Sequence, residues 1–362
     1  MKPVLVLVAL AAVAWTPPSG FSRAASAPAD AFALRWRYQT GGSVFSSPAV
    51  AGGLVYVGSD DGRVYAIEAE TGKLAWRYAT RGPVVSSPAV ADGRVLVGSR
   101  DRRLYALDAR TGALVWSFEA GGPIASSPAL SQGLVLVGSD DEYLYAIDAK
   151  TGQQAWRVPA RGAVTSSPAV AGGVVVFFGL FDHLYAVDLA THAVRWKLRT
   201  DGATWALPPR VDGDTLYVGT SEGQMLAIEL ATGRSREVAR AGGNISGRPA
   251  VADRTIFFGS WDKSLYAVDL NSGRARWQAR TGGPVYSSPA LCDGVVYAGS
   301  WSGKLHAVNA ATGAELGTFE TGGPIVSSPA LAAGALYVGS GDASLYALTI
   351  PCRGTPGSTE DR

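Results

Sequence analysis

The feature that most constrains this chain is a short motif, Ser-Ser-Pro-Ala and its variants, recurring along almost all of its 362 residues. Its proline falls at Pro48, Pro88, Pro128, Pro168, Pro208, Pro249, Pro289 and Pro329, with spacings of 40, 40, 40, 40, 41, 40 and 40. Self-similarity at this period points to four-stranded propeller blades, each of which buries its apolar faces only by stacking on its neighbours. A helical solenoid of similar period is excluded by turn content. The chain carries 45 glycines, and a glycine inside a helix costs roughly 1 kcal/mol against alanine. Length alone allows two or three domains; eight copies of one unit reduce them to one.

A single unit shows the strands. From Ser86 it reads SSPAV-ADG-RVLVGS-RDR-RLYALDA-RTG-ALVWSFEA-GG. Short β-rich runs alternate with Gly, Asp and Thr turn signals, which indicates antiparallel strands, here named A to D in chain order. The B and C runs are apolar on both faces, as in a sheet packed on both sides, whereas D alternates as an outer strand does. Trp36 belongs to a D strand that precedes the first A strand, and the last unit ends after its C strand at Leu345–Leu348. The N-terminal strand is therefore expected to complete the final blade and remove the open edges. The expected fold is all-β: an eight-bladed propeller of four-stranded antiparallel blades over residues 33–350.

The C–D turn is the most regular element, Ala-x-Asp-x-x-Thr-Gly-x-x-x-Trp, as in Ala106 to Trp116, Ala146 to Trp156 and Ala267 to Trp277, the last with Ser272 for Thr. A short acidic side chain accepts backbone N–H bonds in such a turn, and glycine takes the positive φ. Six units keep the tryptophan (Trp36, Trp76, Trp116, Trp156, Trp196, Trp277), and two depart near Glu237 and at Gly317. This unit resembles the tryptophan-docking repeat of the pyrroloquinoline-quinone (PQQ)-like propellers. The resemblance covers every blade and implies the eight-bladed fold. It leaves two functional classes, because that superfamily holds quinoprotein dehydrogenases and also non-enzymatic proteins of the BamB type, the propeller subunit of outer-membrane β-barrel assembly. Length favours the BamB type, since eight units of 40 residues leave no insertion for a deep cofactor chamber. No carboxylate occupies the inner Ser-Ser-Pro-Ala strands to hold calcium, and no pair of adjacent cysteines is present. The expectation is an exported interaction scaffold without catalytic residues, cofactor or metal, its protein partner an outer-membrane assembly component. The alternative is a small PQQ- and calcium-dependent dehydrogenase or another ligand-binding propeller.

Residues 1–24 read as a secretory signal: Lys2, a 12-residue apolar run over 4–15, then small residues. Cleavage fits after Ala24 or as late as Ala27, leaving a linker over 25–32, the propeller over 33–350 and a flexible tail over 351–362. The apolar run is shorter than the roughly 20 residues that span a bilayer, so the mature chain is expected to lack a transmembrane segment and to be periplasmic or secreted. No cysteine near the cleavage region offers a lipid anchor. Removing residues 1–24 takes Lys2 and Arg23 and no acid, so the formal charge of +2 falls to zero. A neutral chain with no run of five like charges has no field that draws nucleic acid.

Departures from the shared frame mark where residues do something other than build blades. D–A and B–C loops emerge on one face of a four-stranded blade. There the plain loops give way to Phe181 and His183 in blade 4, Trp205 before blade 5, Arg248 and Trp261 in blade 6, and Tyr286 and Trp301 in blade 7. Trp, Tyr and Arg are the types enriched at binding hot spots, so this face across blades 4–7 is the candidate partner-binding surface. The competing reading is that the rings fill the channel mouth or cover loop backbones. His192 and His306 replace a turn glycine and a strand tyrosine and read as structural, and His183 has no second histidine or cysteine spaced for a metal. Asp60/Asp61 and Asp140/Asp141 sit in turn frames, where solvated turns explain them better than a glycosidase pair. Cys292 and Cys352 lie on the opposite face of adjacent blades, and an exported chain could oxidise them if their Cα atoms approach within about 7 Å.

Overall fold

The computed structural model describes residues 31–180, 183–200 and 208–352. Among them the chain forms eight four-stranded antiparallel sheets and no helix. Strand order within a sheet is chain order except in the last. There the N-terminal strand Ala33–Gln39 pairs with Ser344–Thr349 as the outer strand, with Leu34 opposite Leu348 and Tyr38 opposite Leu345. The ring is thus an eight-bladed propeller closed by its own first strand. The expected signal segment and most of the tail lie outside the described residues. None of the described residues forms a helix long and apolar enough to cross a membrane.

Each residue of the inner motif has a bonding reason. In blade 2 the first serine, Ser86, donates its hydroxyl to the Gly98 carbonyl and accepts the Gly98 N–H, at 2.9 and 2.8 Å, which ties strand A to the end of strand B. The second serine works between blades: Ser87 N–H donates to Ser127 Oγ at 2.9 Å. The same link joins Ser47 to Ser87, Ser127 to Ser167, Ser288 to Ser328, and Ser328 back to Ser47. Proline follows at the innermost edge, where a missing N–H leaves no ladder bond unmade. Outward, burial grades as the periodicity predicts. Arg94–Gly98 and Arg103–Asp108 are almost wholly buried, and Leu114–Glu119 buries one residue, Trp116.

The tryptophans fasten blade to blade. Trp76 Nε1 donates to the Ala109 carbonyl of the next blade at 2.9 Å, and Trp36, Trp116, Trp196 and Trp277 make the corresponding bond. The receiving turn is held by its acid: Asp108 Oδ1 accepts from the N–H groups of Arg110 and Thr111 and from the Thr111 hydroxyl. Its glycine is obligatory twice over. Gly112 has φ +72°, and a Cβ there would sit 2.6 Å from the Trp76 ring.

Two places differ from the sequence expectation, the blade 5 proline and residues 31 and 32, while the departures at Glu237 and His192 fall where the sequence marks them. In blade 5 the residue just ahead of strand A is Pro209, as Pro48 is in blade 1, because Arg210–Asp212 corresponds to Ala49–Ala51. The 41-residue spacing therefore falls one unit earlier, and Pro208 takes the place of the second serine. In the outer strand of blade 5 the bulge shifts, Glu237 lies opposite Leu226, and Val238 and Ala239 are buried where other blades seat their tryptophan. His192, at φ 60°, stands in the glycine position of its turn and stacks on Trp156 at 4.8 Å. Residues 31 and 32, assigned to a linker, are packed instead. Ala31 lies against Gly317, where blade 7 lacks its tryptophan, and Phe32 meets Tyr297 edge-on at 5.8 Å. The reason is closure: the final blade takes its outer strand from the N-terminus and so has no C–D turn to receive a tryptophan.

Candidate functional site

The face that carries the D–A and B–C loops is built on one repeated clasp. In blades 1, 2, 3, 6 and 8 the second residue of the B–C loop is an aspartate (Asp61, Asp101, Asp141, Asp262, Asp342) that accepts the N–H at the head of the preceding D–A loop. Gly41 to Asp61 and Gly322 to Asp342 are examples, at 3.0 and 2.9 Å. A strand-C tyrosine donates to the same carboxylate, Tyr65 to Asp61 at 2.5 Å and Tyr145 to Asp141 at 2.6 Å. Burial alone would raise the Asp61 carboxyl, but bonds from Tyr65, Ser59, Arg63 and the Gly41 N–H outweigh it and hold the group below its ordinary value. Burial and then that bond push Tyr65 up to about 12. Asp61 and Asp141 are thus structural, which agrees with the turn reading of the paired acids.

With the loops fixed, their first residues define the surface. Trp261 follows Thr255–Ser260, Trp301 follows the B strand of blade 7, and Tyr286 stands in the D–A loop between them. Backbone bonds pin both tryptophans, Trp261 N–H to the Asn244 carbonyl at 2.9 Å and Trp301 N–H to that of Pro284 at 2.8 Å. Trp261 Nε1 also donates to Ser246 Oγ at 3.1 Å. The Tyr286 ring lies 4.7 Å from Trp261 and 5.2 Å from Trp301, tilted 43° in both pairs. The result is a continuous three-ring ladder, with Trp301 still 46% exposed at its outer end. Aromatic pairs in tilted geometry contribute about 0.5–1.5 kcal/mol beyond their buried area, so the ladder is preorganised.

The structure distributes the other candidates differently. Phe181 and Trp205 lie outside the described residues. His183 opens strand C of blade 4, opposite Gly179, with its ring 6.4 Å from Tyr185. Arg248 lines the axial channel, and its backbone N–H donates to Ser288 Oγ at 3.1 Å. Cys292 and Cys352 are joined by a disulfide with Cα atoms 5.8 Å apart. They form a group with Asp293 that would otherwise suggest a metal site, but the sulfurs are spent on each other.

Two residues escaped the sequence reading. Phe45 occupies in the first D–A loop the place Tyr286 has in blade 7, and it reaches over Gly341 of the final blade. Comparing loops position by position would have found it. Arg210 was hidden by the one-residue shift that misplaced the proline. Across the ring from the ladder, the equivalent loop positions are charged. Asp60, Arg100 and Asp140 stand in successive blades, both carboxyls pushed up by burial against the pull of Arg100.

The axial channel encloses about 740 Å³ and is walled by the inner motifs of all eight blades, Ser-Pro-Ala in six of them. Its described lining offers hydroxyls, alkyl groups and two guanidiniums, and no Asp, Glu, Asn or Gln. Calcium takes about six to eight oxygen ligands, chiefly carboxylates and amide carbonyls, so this donor set does not fit a calcium-bound quinone.

Comparison with known proteins agrees with this geometry. No curated protein matches the chain in sequence. Among solved structures, BamB from Moraxella catarrhalis superposes with a TM-score of 0.75 at 19% identity, over 88% of this chain and 99% of that one. A computationally designed protein gives 0.75 at 17% identity, over 86% and 98%. A europium-containing methanol dehydrogenase gives 0.73 at 15% identity, over 88% and 93%. At these identities the structures share a fold and nothing finer. The family model described as outer membrane protein assembly factor BamB matches residues 22–127, 83–279 and 261–351. Covering every blade of the ring, that match shows that the chain belongs to the BamB family of propellers.

Proposed function

We propose that this chain is an exported, non-enzymatic scaffold that holds a protein partner on its aromatic face and serves the assembly of outer-membrane proteins. The ladder Trp261–Tyr286–Trp301 carries the reading. Three large amphipathic rings, fixed by backbone bonds and partly exposed, have the composition and rigidity of a binding hot spot. Family membership supports the partner class: the matched family is named for outer-membrane protein assembly. The reading involves no cofactor. A ring of eight interlocked blades offers a stable platform for a partner that folds or moves against it.

The test is capture in the exporting cell. A photo-reactive amino acid at position 301 is expected to form an adduct with an outer-membrane assembly protein. Trp261→Ala with Trp301→Ala is expected to weaken that complex by about tenfold or more, with the melting temperature little changed. Undiminished capture by the double variant would sink the reading. So would a loss of stability in place of a loss of binding, which would mark the rings as packing.

A further inference from the structure

We propose that the axial channel is a binding site for a small organic anion, an apolar body carrying carboxylate or phosphate, gripped by Arg210 and Arg248. The proposal is independent of the aromatic face. Seven blades place alanine immediately after the motif proline, and blade 5 places Arg210 there. Six blades place serine just before that proline, and blade 6 places Arg248 there. Both side chains line the channel, in neighbouring blades, and no other described residue of its wall is charged. Arg210 Nε is buried and makes no hydrogen bond.

A buried N–H with no acceptor is costly, so an oxyanion that reaches the Arg210 Nε stabilises it, and arginine presents a planar fork suited to carboxylate and phosphate. Blade building does not require either arginine, since the other blades manage with alanine and serine. The ring of serine-to-serine bonds is interrupted at this place: Pro208 stands where a serine Oγ would accept, and Arg248 contributes its N–H to Ser288 but no hydroxyl. The channel's shape sets the rest of the ligand. Its volume of about 740 Å³ lies in the range of small-molecule sites. Its walls are mostly Pro, Ala, Val and Leu, with serine hydroxyls at one level. An apolar body with an oxyanion at one end matches both parts.

Isothermal titration of the mature protein with naphthalene dicarboxylate and with naphthyl phosphate tests this, the pair separating a carboxylate preference from a phosphate one. We expect one molecule bound per chain, with affinity falling about tenfold in Arg210→Gln and in Arg248→Gln, as for loss of a charge-assisted hydrogen bond. Raising salt should weaken binding of either anion, because part of the attraction is between charges. Arg210→Lys, which keeps the charge and loses the fork, should fall between. Undiminished binding in the Arg210→Gln, Arg248→Gln double variant would overturn the proposal. Equal binding of the uncharged naphthalene dicarboxamide, or no binding of either anion by the parent protein, would do the same.

Discussion

Asp61 shows how much of this molecule rests on single carboxylates. It accepts from the Gly41 and Arg63 N–H groups, the Arg63 side chain and the Tyr65 hydroxyl, and so clasps two loops and a strand together. Its folded-state affinity for protons is depressed. The stability it contributes is therefore present above the ordinary aspartate range near pH 4 and is lost as pH falls through the lower folded value. Asp61→Asn is expected to destabilise the protein by about 1–3 kcal/mol at neutral pH, the scale of hydrogen bonds to a charged group. In urea unfolding the gap from the parent should narrow at pH 3, where the parent's carboxylate is itself being protonated; a gap that stays constant would contradict the assignment. The sequence disclosed these aspartates as turn formers and missed that the same oxygen atoms also serve the neighbouring loop. Nothing in a turn signal announces a donor twenty residues upstream.

Between neighbouring blades, the seat of each tryptophan on the next turn is the repeating joint. Trp116 donates to the Ala149 carbonyl and covers Gly152, where a Cβ would lie 2.7 Å from the ring at a φ of +73°. Trp116→Ala should cost roughly 3–5 kcal/mol, as for truncating a buried aromatic. Gly152→Ala should also destabilise, because it strains a left-handed backbone and pushes the indole from its seat; chemical denaturation of both variants measures the joint from its two sides. This element was legible because the fastening is local in sequence and repeated, so pattern and structure coincide. The two faulty joints were visible only as absences at Glu237 and Gly317. What fills the second was not legible: Ala31 reaches Gly317 and Phe32 meets Tyr297 only because the ring closes and brings the start of the propeller to its penultimate blade. Arg210 was lost for a related reason. A one-residue insertion moves every following side chain to a new role, and the doubled proline Pro208–Pro209 concealed where it lies. Part of the aromatic face was legible: Trp261, Tyr286 and Trp301 meet, and Arg248 also lines the channel.

For the whole ring, stability at the seam differs in kind from stability elsewhere, because the last blade is made from both ends of the chain. The Cys292–Cys352 disulfide lies in this seam, packed with Ala31, Tyr297 and Ile350 in one buried cluster. It ties the end of the chain to blade 7 across a separation of 60 residues. Cys292→Ser with Cys352→Ser, or reduction, is expected to lower stability by about 2–4 kcal/mol, and proteolysis should then begin at the C-terminal end; cleavage starting in the middle of the ring would contradict this. The closing strand also sets an order of events. Ala33–Gln39 leaves the ribosome among the first residues of the propeller, yet its partner Ser344–Thr349 is made almost last. The earliest strand to be synthesised is thus the latest to be paired. Until the last blade is made it remains an unsatisfied edge in search of a ladder. A chain of this design is therefore exposed to mispairing for as long as it takes to make it, and a holding factor that shields the leading strand would shorten no folding step but would remove the competitor to the final one.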